Sequence, residues 1–158
     1  MLTVLFLCTG NSCRSVMAEG ILNHHGSGRF RAFSAGSFPT GEINPASLAR
    51  LKTHGMKSDG YESKSWDRFV GGDQINIVIT VCDNAAGEVC PIFPGAPVKA
   101  HWGVPDPAHF EGTPDEVEAE FERVFNMLEQ RIEALIRLPV ETMDKVSLAT
   151  SLNRIGNT

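Results

Sequence analysis

Apolar and polar positions follow two rhythms along this chain. Residues 2 to 7 (Leu-Thr-Val-Leu-Phe-Leu) and 75 to 81 (Ile-Asn-Ile-Val-Ile-Thr-Val) are short, nearly continuous apolar runs, the pattern of strands buried on both faces of a parallel sheet. The run around residues 30 to 35 predicts a second strand, and Val98 to Trp102 a short last one. Elsewhere the spacing changes to three and four residues. The stretch from Asn44 to Gly55 predicts a helix with Asn44 as N-cap, Pro45 in its first position and Gly55 ending it. A longer helix begins at Thr113-Pro-Asp-Glu116, a capping box with proline at the first helical position. Its Val117, Phe121, Val124, Phe125, Leu128, Ile132, Leu135 and Ile136 share one face, so its aromatics belong to a core rather than to a cofactor site. Beyond Pro139 a weaker amphipathic pattern, Met143, Val146, Leu148, Leu152 and Ile155, fits either a docking helix or a partly ordered tail. We therefore divide the chain into one domain, residues 1–138, and an amphipathic C-terminal extension, residues 139–158. Strands alternating with helices define an α/β fold with a mostly parallel sheet. In such sheets ligands sit beyond the carboxyl ends of the strands, and Cys8 lies at that edge.

Composition narrows the function classes. The chain has 158 residues, 42% hydrophobic and 21% charged, enough for one buried core. A formal net charge of -5 provides no broad basic surface, which excludes nucleic acid as the expected partner. Met1 leads into an apolar run with no basic region before it and no small-residue cleavage site after it, the pattern of a strand rather than a signal peptide. No segment approaches the roughly 18 continuous apolar residues of a membrane span. A cytoplasmic protein is expected, with Cys8, Cys13, Cys82 and Cys90 reduced at rest. Their spacing does not suit a structural zinc site, and no metal is expected from them. His24 and His25, being adjacent, leave any helix in different directions and make poor shared ligands, while His54, His101 and His109 stand isolated in the sequence.

The first loop carries the chemistry. Cys8-Thr-Gly-Asn-Ser-Cys-Arg14-Ser15 stands between the first strand and the helical pattern that follows. Curled onto a helix start, such a loop turns its backbone N–H groups and the positive end of the helix dipole toward an anion. Arg14 adds a planar fork suited to two oxygens of a tetrahedral oxyanion. The same field is expected to lower the pKa of Cys8 and make it a nucleophile, with Ser15 placed to donate a hydrogen bond to its sulfur. Cys13 reads as a packing residue within the loop. A nucleotide P-loop is excluded by the absence of its Gly-Lys-Ser/Thr ending.

This "CTGNSCRS" segment resembles the Cys-x5-Arg loop of low-molecular-weight protein tyrosine phosphatases and of the arsenate reductases that share their fold, over residues 2 to about 137. The resemblance implies a three-layer sandwich with a central, mostly parallel four-stranded sheet flanked by helices. It implies an oxyanion held by Thr9, Gly10, Asn11, Ser12, Cys13, Arg14 and Ser15, and a monomer or weak dimer. Some relatives also bind potassium through Asn, Glu, Ser and Asp; Asn11, Glu19 and Ser34 match, and the aspartate position falls at Ser65.

Thiol counting separates the branches. Phosphate-ester hydrolysis through a cysteine intermediate needs one thiol and a general acid. Reduction of arsenate moves two electrons, which two thiols supply by forming a disulfide, and a third thiol can carry that disulfide outward by exchange. Cys82 ends the strand at 75 to 81, on the sheet edge of Cys8, and Cys90 follows eight positions later. A helical spacer would hold their Cα atoms about 12 Å apart, whereas a disulfide allows only about 4.4 to 6.8 Å. Joining them requires the segment to loop out, which Gly87 eases. The arrangement looks like the redox pair of thioredoxin-coupled arsenate reductases, and "HWGVPDP" looks like their general-acid loop. By that resemblance Cys8 is the nucleophile, Arg14 the oxyanion clamp and Asp106 the acid; Cys82 releases arsenite, and Cys90 takes over the disulfide. No tightly bound cofactor is implied, only an external thiol reductant. The seven-residue spacer, where the thioredoxin-coupled pattern has six, leaves thioredoxin and glutaredoxin with glutathione both open. A phosphotyrosine phosphatase is the alternative enzyme, disfavoured by Val16 where proline is usual and by "AHF" without tyrosines after Pro107. A non-catalytic oxyanion sensor is the alternative of another class, and it would need neither Asp106 nor the extra thiols.

Overall fold

A computed structural model describes residues 1–83, 87 and 90–158. Four parallel strands, β1 (Leu2–Leu7), β2 (Phe30–Ala35), β3 (Ile77–Thr80) and β4 (Val98–His101), form one sheet in the order β2-β1-β3-β4. The helices among the described residues are α1 (Arg14–His25), α2 (Pro45–Thr53), α3 (Pro114–Ile136) and α4 (Lys145–Gly156). Each strand edge lies within a residue or two of the sequence pattern, and the central strand β1 is buried on both faces, as a continuous apolar run requires. Asn44 caps α2 by accepting from Ala46 N, and Thr113 and Glu116 form the reciprocal capping box of α3.

The pleat sends alternate residues into two apolar layers. Val4, Phe6, Ile77 and Ile79 face the helices, meeting Met17 and Ile21 of α1, Leu51 of α2 and Val124, Phe125 and Leu128 of α3. Leu5, Leu7, Ala35 and Val78 face the other way, against Trp66 and Phe69 of a short 3₁₀ turn and against Phe93 and the half-buried Cys90. The sheet is thus the middle of three layers.

The C-terminal extension is a docked helix. Leu148, Leu152 and Ile155 of α4 join the main apolar cluster and cover the edge strand β4. Trp102 Nε1 donates to Leu152 O at 2.8 Å and His101 N to Asn153 Oδ1 at 3.2 Å. Gly156 lies against the His101 carbonyl, where a Cβ would collide. The buried Arg131 of α3 reaches Gly103 O at 3.1 Å and Thr158 O at 3.2 Å, joining the chain end to the segment that follows β4.

Candidate active site

β1 delivers Cys8 to the carboxyl edge of the sheet, and the chain then turns through residues 9 to 13 into α1, whose first residue is Arg14. Outside neighbours hold the loop by its carbonyls. Thr9 O accepts from Phe38 N, Gly10 O from Thr40 N, and Ser12 O from Asn44 N, each at 3.0 Å. A trans peptide points its C=O and N–H in opposite directions, so the N–H groups of Gly10, Asn11 and Cys13 turn inward. The Gly10 main chain favours the ionised form of Cys8. Helix α1 starts without a side-chain cap and without an acidic residue in its first turn, so its dipole meets no protein anion there.

Asn11 holds the turn from behind. It is fully buried in the left-handed region, φ 46°, a conformation asparagine tolerates better than most residues. Its Nδ2 donates to Ser15 Oγ at 2.9 Å and to Ser34 Oγ at 3.0 Å, and its Oδ1 accepts from Lys64 N at 2.9 Å. Ser15 is therefore tied to Asn11 and not, as expected from its position, to the Cys8 sulfur. Gly36 passes so close that a Cβ there would collide with the carbonyl oxygens of Thr9 and Cys8.

A cavity of about 410 Å³ opens over this loop, lined by Cys8, Thr9, Gly10, Ser12, Cys13, Arg14 and Asp106 together with Phe38, Thr40, Ala108 and His109. Arg14 Nη1 donates to Val104 O at 3.1 Å, and its Nη2 lies 3.4 Å from Asp106 Oδ2. The buried Arg14 Nε has no protein partner, a donor whose natural complement is a ligand oxygen. Asp106, in β-region backbone between two prolines, also accepts from Ala108 N at 3.0 Å, and His109 Nε2 stands 3.4 Å from its Oδ2. Phe38, Thr40 and His109 had no marking in the sequence; they reach the cavity from a turn after β2 and from the end of the acid loop.

The structure brings Cys82 against Cys8. Thr9, the residue after Cys8, donates its N–H to Cys82 Sγ at 3.3 Å, and both thiols are buried. This neighbour overturns the expectation of a lowered Cys8 pKa. The hydrogen bond with Cys82 and burial push the Cys8 thiol up, and Arg14 with the Gly10 N–H pulls only part of the way back. Two neighbouring buried thiols cannot both ionise at low energy, so the loop's field acts on the pair as a unit. Burial likewise raises Cys13, which packs in the main cluster. Cys90 lies apart, on the opposite apolar layer of the sheet. The expected looping of the spacer between Cys82 and Cys90 concerns residues 84–86, 88 and 89, which lie outside the described ones. Three other histidines are engaged: His54 with Glu122 at 2.9 Å, His25 with Glu129 at 3.0 Å, and His101 between Thr80 Oγ1 and Asp83 Oδ1, both at 2.7 Å.

A cysteine and an arginine bracketing inward amides at a helix start, on a parallel four-stranded sheet, form a loop of the phosphatase type. Residues 3–148 match the family described as low molecular weight phosphotyrosine protein phosphatase, and the chain belongs to that family. Among curated relatives, the arsenate reductase of Bacillus licheniformis is 38% identical over 130 residues, covering 82% of this chain and 91% of the relative. A solved arsenate reductase in a phosphate-binding state matches with a TM-score of 0.69 at 29% identity, covering 86% of this chain and 97% of the other. The thioredoxin-dependent arsenate reductase of Corynebacterium glutamicum matches with a TM-score of 0.57 at 27% identity, over 84% of this chain and 62% of the other. No helix among the described residues is long and apolar enough to cross a membrane.

Proposed function

We propose that this protein reduces arsenate to arsenite for arsenic detoxification, using Cys8, Cys82 and Cys90 in sequence. The observation that carries the reading is a second buried thiol at the oxyanion loop: Cys8 lines the cavity, and Thr9 N, the next amide, donates to Cys82 Sγ at 3.3 Å. Hydrolysis of a phosphate ester would leave that second sulfur without a task, whereas a two-electron reduction needs it. The names of the relatives support the same branch.

In this mechanism the inward amides of the loop between Cys8 and Arg14 and the unpartnered Arg14 Nε hold the arsenate oxygens. The Cys8 thiolate, its proton passed to the Cys82 sulfur or to solvent, attacks arsenic. Asp106 protonates the departing oxygen, which leaves as water. Cys82 then attacks Cys8 Sγ; the sulfur–arsenic bond breaks with its electron pair going to arsenic, and arsenite leaves behind a Cys8–Cys82 disulfide. The Cys90 thiolate attacks Cys82, releasing Cys8 as a thiol and forming a Cys82–Cys90 disulfide. An external dithiol reduces it in the cytoplasm; the thioredoxin-dependent relative favours thioredoxin over glutaredoxin with glutathione. We assign catalysis to residues 1–138 and read residues 139–158 as a brace, because α4 and Arg131 grip His101, Trp102 and Gly103 just before the acid loop.

The test is arsenite production by purified protein supplied with thioredoxin and its reductase, or with glutaredoxin and glutathione, for wild type and Cys90→Ser. Turnover with thioredoxin that collapses in Cys90→Ser is the expected result. Turnover only with glutaredoxin and glutathione would replace the relay by a mixed-disulfide route. Absence of arsenite with intact hydrolysis of an aryl phosphate would assign the chain to the phosphatases.

A further inference from the structure

The relay asks one buried residue to face two partners in turn. Cys82 sits in the helix-facing apolar layer beside the oxyanion loop, whereas Cys90 packs in the layer on the opposite face of the sheet. In the second exchange the Cys90 thiolate attacks Cys82 Sγ, the Cys8–Cys82 bond breaks, and Cys8 leaves with the electron pair. The link between the two layers begins at Asp83, and it has to rearrange before those sulfurs can meet.

Asp83 is tied down, and on the face of the sheet that carries Cys90. Along β3 and β4, Ile77, Ile79, Val98 and Ala100 point into the helix layer, so the alternation of a strand turns Thr80 and His101 to the other side. His101 Nε2 donates to Asp83 Oδ1 at 2.7 Å, and its Nδ1 meets Thr80 Oγ1 at 2.7 Å. An ionised carboxylate only accepts, so Nε2 carries the hydrogen. The imidazole end is anchored: His101 N donates to Asn153 Oδ1 of α4 at 3.2 Å, and Gly156 abuts the His101 carbonyl. Gly103 makes room for the pair, because a Cβ there would stand 2.6 Å from Asp83 Oδ1 and 2.9 Å from His101 Nε2. The side chains are 91% exposed at Asp83 and 37% at His101, and pairs so exposed add little to stability. Such a bond biases a segment without locking it.

We propose that the Asp83–His101 pair is a latch on the redox segment: closed, it keeps Cys82 beside Cys8 while arsenite is released, and it opens when the disulfide passes to Cys90. The inference rests on the thiol relay proposed above. Asp83 and His101 are positioning residues, acting through the backbone they hold.

The experiment compares wild type, Asp83→Ala and Asp83→Asn. Asparagine keeps an acceptor for His101 Nε2 and removes the charge, whereas alanine removes both. The rate of Cys82 alkylation in the reduced protein, without arsenate, is followed by peptide mass spectrometry. It is expected to rise about threefold in Asp83→Ala and to stay near wild type in Asp83→Asn. In a single turnover with arsenate, Asp83→Ala is expected to pass the disulfide from Cys8–Cys82 to Cys82–Cys90 faster by a similar factor, with the yield of arsenite unchanged. Equal alkylation rates in wild type and Asp83→Ala would overturn the latch. So would equal acceleration by alanine and asparagine, which would assign the effect to charge near the thiol, or a slower disulfide transfer in Asp83→Ala. Absence of arsenite from the wild-type turnover would overturn the relay instead, and the alkylation rates, which need no arsenate, would still decide the latch.

Discussion

The oxyanion loop and the C-terminal helix α4 both meet the end of the sheet, and they are built on opposite principles. The loop buries polar groups. Asn11 branches to Ser15 and Ser34 through its amide, and the loop carbonyls are tied outward. The helix buries Leu148, Leu152 and Ile155 and touches the acid-loop strand through a few bonds, the shortest from Trp102 to a main-chain carbonyl. Polar networks of the first kind are specific because each partner has one acceptable arrangement. Apolar docking of the second kind tolerates similar shapes and contributes mainly area. Substitutions in the loop should therefore change chemistry first, and substitutions in the helix stability first.

The largest expected effects test the loop and the thiol beside it. Cys8→Ser and Cys82→Ser should each lower arsenite formation by about 10⁴-fold or more. They should part in an anion-binding assay, because Cys82→Ser keeps the amides and Arg14 that hold arsenate or phosphate. Asn11→Ala should come next. It strands Ser15, Ser34 and Lys64 N and removes the residue suited to a positive φ, at about 2–4 kcal/mol in denaturant unfolding, together with a rise in the arsenate KM. In α4, Leu152→Ala should lower stability by about 2–5 kcal/mol with anion affinity unchanged. Equal losses of anion affinity from Asn11→Ala and Leu152→Ala would erase the contrast between the regions. A smaller effect, about 1 kcal/mol, is expected from Trp102→Phe, which leaves Leu152 O without its donor.

The pH dependence sharpens the picture of the thiol pair. Because the fold holds Cys8 above its unfolded value, the stability it contributes is fully present below about pH 8.5, the ordinary thiol pKa. That contribution falls as pH rises beyond it, by at most about 1.4 kcal/mol per unit. Unfolding of wild type should therefore steepen above that pH, and Cys8→Ser should be flatter. Parallel curves for the two proteins would remove the raised thiol from the account.

Features that depend on near neighbours in the chain were legible in the sequence. The capping residues Asn44, Thr113 and Glu116, the buried strand β1 and the loop from Cys8 to Arg14 are all set by spacing within a few positions, and each stands where its pattern puts it. The meeting of Cys8 and Cys82 was legible through one topological rule, that parallel strands end at a common edge. What the pattern missed came from contacts across the fold. The loop's field alone suggested an acidic Cys8, while the neighbouring thiol of Cys82, 74 positions away, together with burial reverses the direction. Ser15 was paired with the wrong partner because the left-handed turn at Asn11 carries its amide underneath the loop. The grip of Arg131 on Gly103 and Thr158 has no periodicity or motif from which to be read.

The central claim is that Cys8 and Cys82 together deliver two electrons to one oxyanion. It is tested most directly by a single turnover of Cys90→Ser with arsenate and no added reductant, followed by peptide mass spectrometry and arsenite determination. The account predicts one arsenite per protein and a disulfide between the peptides carrying Cys8 and Cys82. No arsenite, or arsenite formed while both thiols remain alkylatable, would contradict it.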